Sequence, residues 1–119
     1  MKYLCLIYDD EQQWAQMPKD QSDAMMGEYF AFTQQIQGAG QYIAGEALQP
    51  VATATTVRIR NGRVSTTDGP FAETKEQLGG FYLIEAADLN EAIQVAARIP
   101  SARIGSVEVR PVVDFGAEM

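Results

Sequence analysis

The chain predicts an α+β fold: a ferredoxin-like split βαβ sheet carrying an inserted β-hairpin. Three observations point to it. The elements run strand, helix, strands, helix, strand along the sequence. The first strand and the strand after a Gly-Gly pair are apolar on both faces, which suits the two central strands of such a sheet once right-handed crossovers set their order. An Asn-Gly dipeptide between two alternating runs marks a hairpin, because both residues tolerate positive φ.

In chain order, residues 2 to 8 alternate Tyr3, Cys5 and Ile7 on one face with Leu4, Leu6 and Tyr8 on the other, giving a strand buried on both sides. Asp9 to Lys19 reads as a polar connection. Asp20 or Ser22 then caps a helix running to about Gly38, whose apolar stripe holds Met25, Met26, Tyr29, Phe30, Phe32, Thr33 and Ile36. Gln41 to Leu48 is a second strand, ended by Gln49-Pro50. Thr53 to Arg60 and Arg63 to Thr67 form the hairpin about Asn61-Gly62, with one wet face. Phe81 to Ala86 is the second central strand. Asp88 and Glu91 form a capping box for a helix that buries Leu89, Ala92, Ile93, Ala96 and Ala97 and stops before Pro100. Ser106 to Val112 is the last strand, opened by Gly105, with Val107 and Val109 facing in; the tail to Met119 carries little pattern.

Composition narrows the function. With 119 residues and 13.1 kDa, residues 1–119 read as a single domain, and 46% apolar against 21% charged residues describes a globular chain. No segment reaches the ~18 apolar residues of a membrane span. Although the start is apolar, Asp9-Asp10-Glu11 follows where a signal peptide needs more apolar length, so no membrane partner is expected. The net charge is −7 and the arginines are scattered, which argues against nucleic acid, since phosphate affinity needs clustered positive charge. One cysteine, Cys5, suits a reducing compartment and a small core residue. The chain has no histidine, which removes the usual general base, every Ser-His or Cys-His arrangement and the usual nitrogen ligands for zinc. Asp9-Asp10-Glu11 and the pair Glu73 and Glu76 lack calcium-loop spacing and read as solvated surface, and no phosphate-cradling glycine loop occurs. No metal and no cofactor is expected.

The likeliest site is the loop Asp68 to Gly80. Asp68 offers a carboxylate, Gly69 permits positive φ, Pro70 fixes its own φ and pushes Gly69 out of the helical region, and Phe71 supplies an apolar anchor. Asp68 is the candidate catalytic residue, a base or acceptor in a cleft beside a cation such as Lys75, Arg58 or Arg110, with Tyr8 and Tyr82 as phenol donors. A structural alternative has Asp68 accepting the donors of its own turn while Phe71 plugs the core.

Thr66 to Phe81, with Asp68-Gly69-Pro70-Phe71 at its centre, together with Met1-Lys2-Tyr3-Leu4 and Gly105 to Pro111, resembles the YCII-related family in its DGPF-domain branch. The resemblance covers nearly the whole chain. It implies a dimeric α/β-barrel of ferredoxin-like subunits and a bacterial, cytoplasmic protein whose relatives are often encoded beside sigma factors. The wider family uses a His-Asp pair in a cleft; Asp68 matches its aspartate, the histidine is missing here, and so only the location carries over. Two functions follow. One is an enzyme acting on a small organic molecule near Asp68 by carboxylate acid-base chemistry; the other is a non-catalytic module that binds a ligand or a regulatory protein such as a sigma factor.

Two helices cover only one face of a four-stranded sheet, and the apolar residues on the other face need a cover that the chain does not supply. A second copy, packed sheet to sheet, is the expected cover. Light scattering at micromolar concentration is expected to give about twice the monomer mass, and a monomer there refutes the pairing.

Overall fold

Alternating apolar residues draw four segments of the chain into one antiparallel sheet. The computed structural model describes residues 1–116, and the last three residues of the tail lie outside them. It contains β1 (Lys2–Asp9), α1 (Glu11–Gln16), α2 (Lys19–Gly38), β2 (Tyr42–Ala47), β3 (Thr55–Arg60), β4 (Arg63–Asp68), β5 (Gln77–Glu85), α3 (Leu89–Ala96) and β6 (Ser106–Pro111). Short 3-10 turns lie at Val51–Thr53 and Pro100–Arg103. The sheet order is β2-β5-β1-β6, with every neighbour antiparallel, so β1 and β5 are central and the fold is ferredoxin-like. No helix is long and apolar enough to cross a membrane among the described residues.

The helices lie on one face. There Tyr3, Cys5 and Ile7 of β1 and Tyr82 and Ile84 of β5 pack against Phe32 and Ile36 of α2 and against Ala92, Val95 and Ala96 of α3. Each large side chain buried in this way contributes about 1.5–3 kcal/mol. The Phe32 and Tyr82 rings meet edge to face at 5.2 Å. Cys5 is wholly buried, and burial pushes its thiol up to about 11, which makes it a core residue in chemistry as well as position.

Several elements differ from the sequence reading. The connection after β1 contains α1, started by Asp10, whose side chain accepts from the Gln12 amide at 2.9 Å. Helix α2 starts at Lys19, directly after Pro18, with no side-chain cap. Strand β5 begins at Gln77 and runs through both glycines; a Cβ at Gly80 would stand 2.8 Å from the Glu46 carbonyl oxygen, so the strands approach closely there. On α2, Met26 and Phe30 are exposed, and on α3, Leu89 and Ile93 are half exposed while Val95 is buried. The short α3 meets the sheet along Ala92, Val95 and Ala96, a stripe rotated from the expected one. The capping box is present, with the Glu91 amide donating to Asp88 at 2.9 Å and the Ala87 amide donating to Glu91 at 3.2 Å.

The opposite sheet face carries Leu4, Leu6 and Tyr8 of β1 with Phe81 and Leu83 of β5, all only half buried. The hairpin β3-β4 forms its own two-stranded sheet and stands off the rest. Val57, Ile59 and Val64 share one of its faces and are 61%, 65% and 70% exposed, so that face is apolar and uncovered among the described residues. The radius of gyration is 16.5 Å. A compact domain of this length would have about 13–14 Å.

Among the described glycines the backbone is most tightly approached at Gly105, where a Cβ would lie 2.1 Å from the Tyr8 carbonyl oxygen and 2.9 Å from the Asp9 Cβ. Gly105→Ala is expected to destabilise by about 1–3 kcal/mol or more through overpacking. Gly27→Ala, in α2 with nothing near the new methyl, is expected to stabilise by about 1 kcal/mol. Urea unfolding of the two variants checks both signs.

Candidate functional site

The alternation that buries Tyr3, Cys5 and Ile7 carries on for one more step and buries Asp9, which is only 7% exposed. A carboxylate in that position must find donors. Helix α1 returns over the strand end and brings Trp14, whose indole N–H donates to Asp9 Oδ2 at 2.8 Å. The 3-10 turn after α3 brings Ser101, fully buried, whose hydroxyl donates to the same Oδ2 at 2.9 Å. Tyr29 of α2 in turn donates to Ser101 Oγ at 2.5 Å. Three segments therefore converge on one carboxylate oxygen, α2 by way of Ser101.

The other oxygen, Oδ1, accepts no hydrogen bond among the described residues and is not sealed from solvent. It sits beside Gly79, where a Cβ would lie 3.4 Å from it, on the wall of a cavity of about 660 Å³. Trp14, Met26, Tyr29, Tyr42 and Tyr82 are among its apolar lining. No lysine or arginine lines it. Thr33 donates to the Tyr29 carbonyl at 2.9 Å, which commits its single proton, so the 2.7 Å contact between Thr33 and Tyr82 has the Tyr82 hydroxyl as donor. Burial raises the pKa of both Tyr29 and Tyr82, keeping them as neutral phenols beyond the usual range.

Of the residues that the sequence proposes for catalysis or ligand binding, Tyr82 alone lines this cavity, joined by Gly79 and Gly80 from the far end of the predicted loop. Asp68 lies exposed at the end of β4, opposite Thr55, and with Gly69 and Pro70 it borders a shallow depression of about 360 Å³. Gly69 has φ +108°, so the turn does use its freedom. Phe71 is 81% exposed and does not plug the core. Lys75 is exposed, and Arg58 is half buried on the hairpin face that also bears Arg60 and Arg63. Tyr8 and Arg110 lie at the open face of the sheet, where Arg110 pairs with Glu108. The structure does not bring this set together.

The depression at Asp68 and the cavity at Asp9 share a wall. Gln77 accepts from the Glu11 amide at 3.0 Å and donates to the Thr74 carbonyl at 2.6 Å, while Glu11 accepts from the Val51 amide at 2.9 Å. Glu11 lines the cavity, and Val51 and Gln77 line the depression. The sequence reading set Asp9 down as solvated surface, which its burial overturns, and took Tyr29 only as part of the helix's apolar stripe; it gave Trp14 and Ser101 no role. Strand parity was the available signal for Asp9; none marks Ser101, which depends on how a 3-10 turn folds back.

The family model for the YCII-related domain matches residues 1–116. An uncharacterised protein of Rhizobium meliloti (strain 1021) is 40% identical over 113 residues, covering 93% of this chain and 91% of that protein.

Ser101 is the link that joins Tyr29 to Asp9, and removing it strands a buried acceptor and a phenol donor. Ser101→Ala is expected to cost about 1–3 kcal/mol in urea unfolding. Tyr29→Phe, which removes only the outer donor of the relay, is expected to cost less.

Proposed function

The chain belongs to the YCII-related family, and from that premise we propose that it takes a small, largely apolar organic molecule into the cavity beside Asp9. The molecule's polar group donates to Asp9 Oδ1. The observation that carries this reading is the free oxygen: a carboxylate with both protein donors on one oxygen and the other turned toward an aromatic-lined space. Ligand sites have this make-up, an apolar wall with a few fixed polar groups.

Asp9 is also the group placed for carboxylate acid-base chemistry. A proton leaving the bound molecule would form an O–H bond at Oδ1 and leave its electron pair on the molecule, while Trp14 and Ser101 hold Oδ2 in position. This moves the reacting carboxylate from the loop at Asp68 to the end of β1. In this reading the chain is a DGPF-branch member, and its Asp68 loop builds the neighbouring wall. The partner we propose for the open sheet face is a second copy of the chain, supported by the half-buried Leu4, Leu6, Phe81 and Leu83 and by the uncovered apolar face of the hairpin.

A thermal-shift screen of small phenols, organic acids, keto compounds and amines tests the site in three proteins: wild type, Asp9→Asn and Asp68→Asn. A molecule at a hundred times its dissociation constant adds about 2.7 kcal/mol, a rise of several degrees for a domain of this size. The shift is expected in wild type and Asp68→Asn and is expected to vanish in Asp9→Asn. A shift that survives in Asp9→Asn and disappears in Asp68→Asn would return the site to the hairpin loop.

A further inference from the structure

The same cavity carries information about the charge of what it binds. Asp9 is a carboxyl side chain set among apolar rings, and its two donors, an indole and a hydroxyl, are neutral. Charge on a buried carboxylate is costly to desolvate, and neutral hydrogen bonds offset that only in part unless an opposite charge is near. None is supplied. The chain has no histidine, and no lysine or arginine lines the cavity. Four of the cations elsewhere are engaged at other places: Lys19 pairs with Asp23, Arg103 with Glu28 and Arg110 with Glu108, while Arg98 lies over the Phe32 ring at 5.7 Å.

The rest of the lining agrees. Glu11 adds a second carboxylate to the wall, one that spends a hydrogen bond on Val51 and meets no basic side chain there. Trp14, Tyr29, Tyr42 and Tyr82 also line the cavity, and the faces of aromatic rings attract cations. An anionic molecule entering this space would meet a wall that holds three acidic residues, Asp9, Glu11 and Glu46, and no basic one. A net charge of −7 draws cations toward the protein and repels anions.

We infer that the cavity takes an organic cation, a protonated amine on an aromatic or similarly apolar body, whose ammonium donates to Asp9 Oδ1 and supplies the positive charge the site lacks. The inference rests on the reading of the cavity as the binding site and narrows it to one class of ligand. The apolar body occupies the space between Met26 and the rings, and the ammonium occupies the acceptor that the protein leaves open.

The probes are benzylamine, benzyl alcohol and benzoate, matched in shape and differing in charge. Trp14 is the only tryptophan, and its indole N–H is bound to Asp9, so its nitrogen-proton resonance reports directly on that carboxylate in the wild-type protein. Benzylamine at millimolar concentration is expected to move the Trp14 resonance saturably and to raise the melting temperature. Benzyl alcohol is expected to bind at least tenfold more weakly, and benzoate not at all. Asp9→Asn is expected to abolish the preference for the amine. If benzyl alcohol or benzoate binds as well as benzylamine, the amine inference is overturned and the cavity stands as the site. If none of the three moves the resonance, inference and site fall together. Should Asp9→Asn fail to fold, the order of the three probes on wild type decides the matter alone.

Discussion

A buried carboxylate at the end of a central strand sets the terms for everything around it. Asp9 lies inward because strand parity leaves it no choice once Tyr3, Cys5 and Ile7 face the helices. An unpaired buried acceptor costs more than a made hydrogen bond returns, so the surrounding segments are constrained to deliver donors. Trp14 comes from α1, Ser101 from the turn after α3, and Tyr29 from α2 stands behind Ser101. The close contact at Gly105 belongs to the same arrangement, since it lets the chain after that turn press against the Tyr8–Asp9 backbone. A side chain there would separate Ser101 from the carboxylate it serves. Core packing and site geometry therefore rest on one set of contacts.

The second organising fact is the asymmetry of the sheet. Helices α2 and α3 sit on the face that holds Cys5 and Ile84, and the other face keeps a half-buried apolar centre edged by the ion pair of Glu108 and Arg110. The hairpin adds three exposed apolar side chains on one face, held off the body by strands that pair only with each other. Isolated two-stranded ribbons are marginal in water, which makes an uncovered apolar ribbon costly unless something packs on it. That cost and the open sheet face are met together if a second copy supplies the cover, as proposed above.

Much of the fold was legible in the sequence because it rests on periodicity. Alternation marks β1, β3, β4, β5 and β6, the Asn61-Gly62 turn marks the hairpin, and Asp88 with Glu91 marks the start of α3. What escaped was whatever depends on a neighbour. Helix α1 has six residues and a single cap, too little local signal to separate it from a polar loop. The Gly79-Gly80 pair reads as the end of a loop until β2 is seen pressing against it. The site escaped for the same reason. Trp14, Tyr29 and Ser101 are distant in sequence and each is unremarkable alone, and only the closure of three segments over β1 assembles them.

The Asp68 loop drew notice because its residues are unusual, and the structure gives that unusual character a mechanical meaning. Its turn uses Gly69 at positive φ, and its far end feeds Thr74 and Gln77 into a chain of hydrogen bonds that passes through Glu11 to Val51. Glu11 is the first residue of α1, the helix that carries Trp14 to Asp9. The loop therefore anchors the segment that completes the carboxylate's donor set, and it does so without lining the cavity with Asp68 itself. A motif can specify a site by fixing the element that closes over it. On that account a change within Thr74 to Gln77 acts on the cavity by loosening α1, while a change at the exposed Asp68 carboxylate leaves the chain of hydrogen bonds intact.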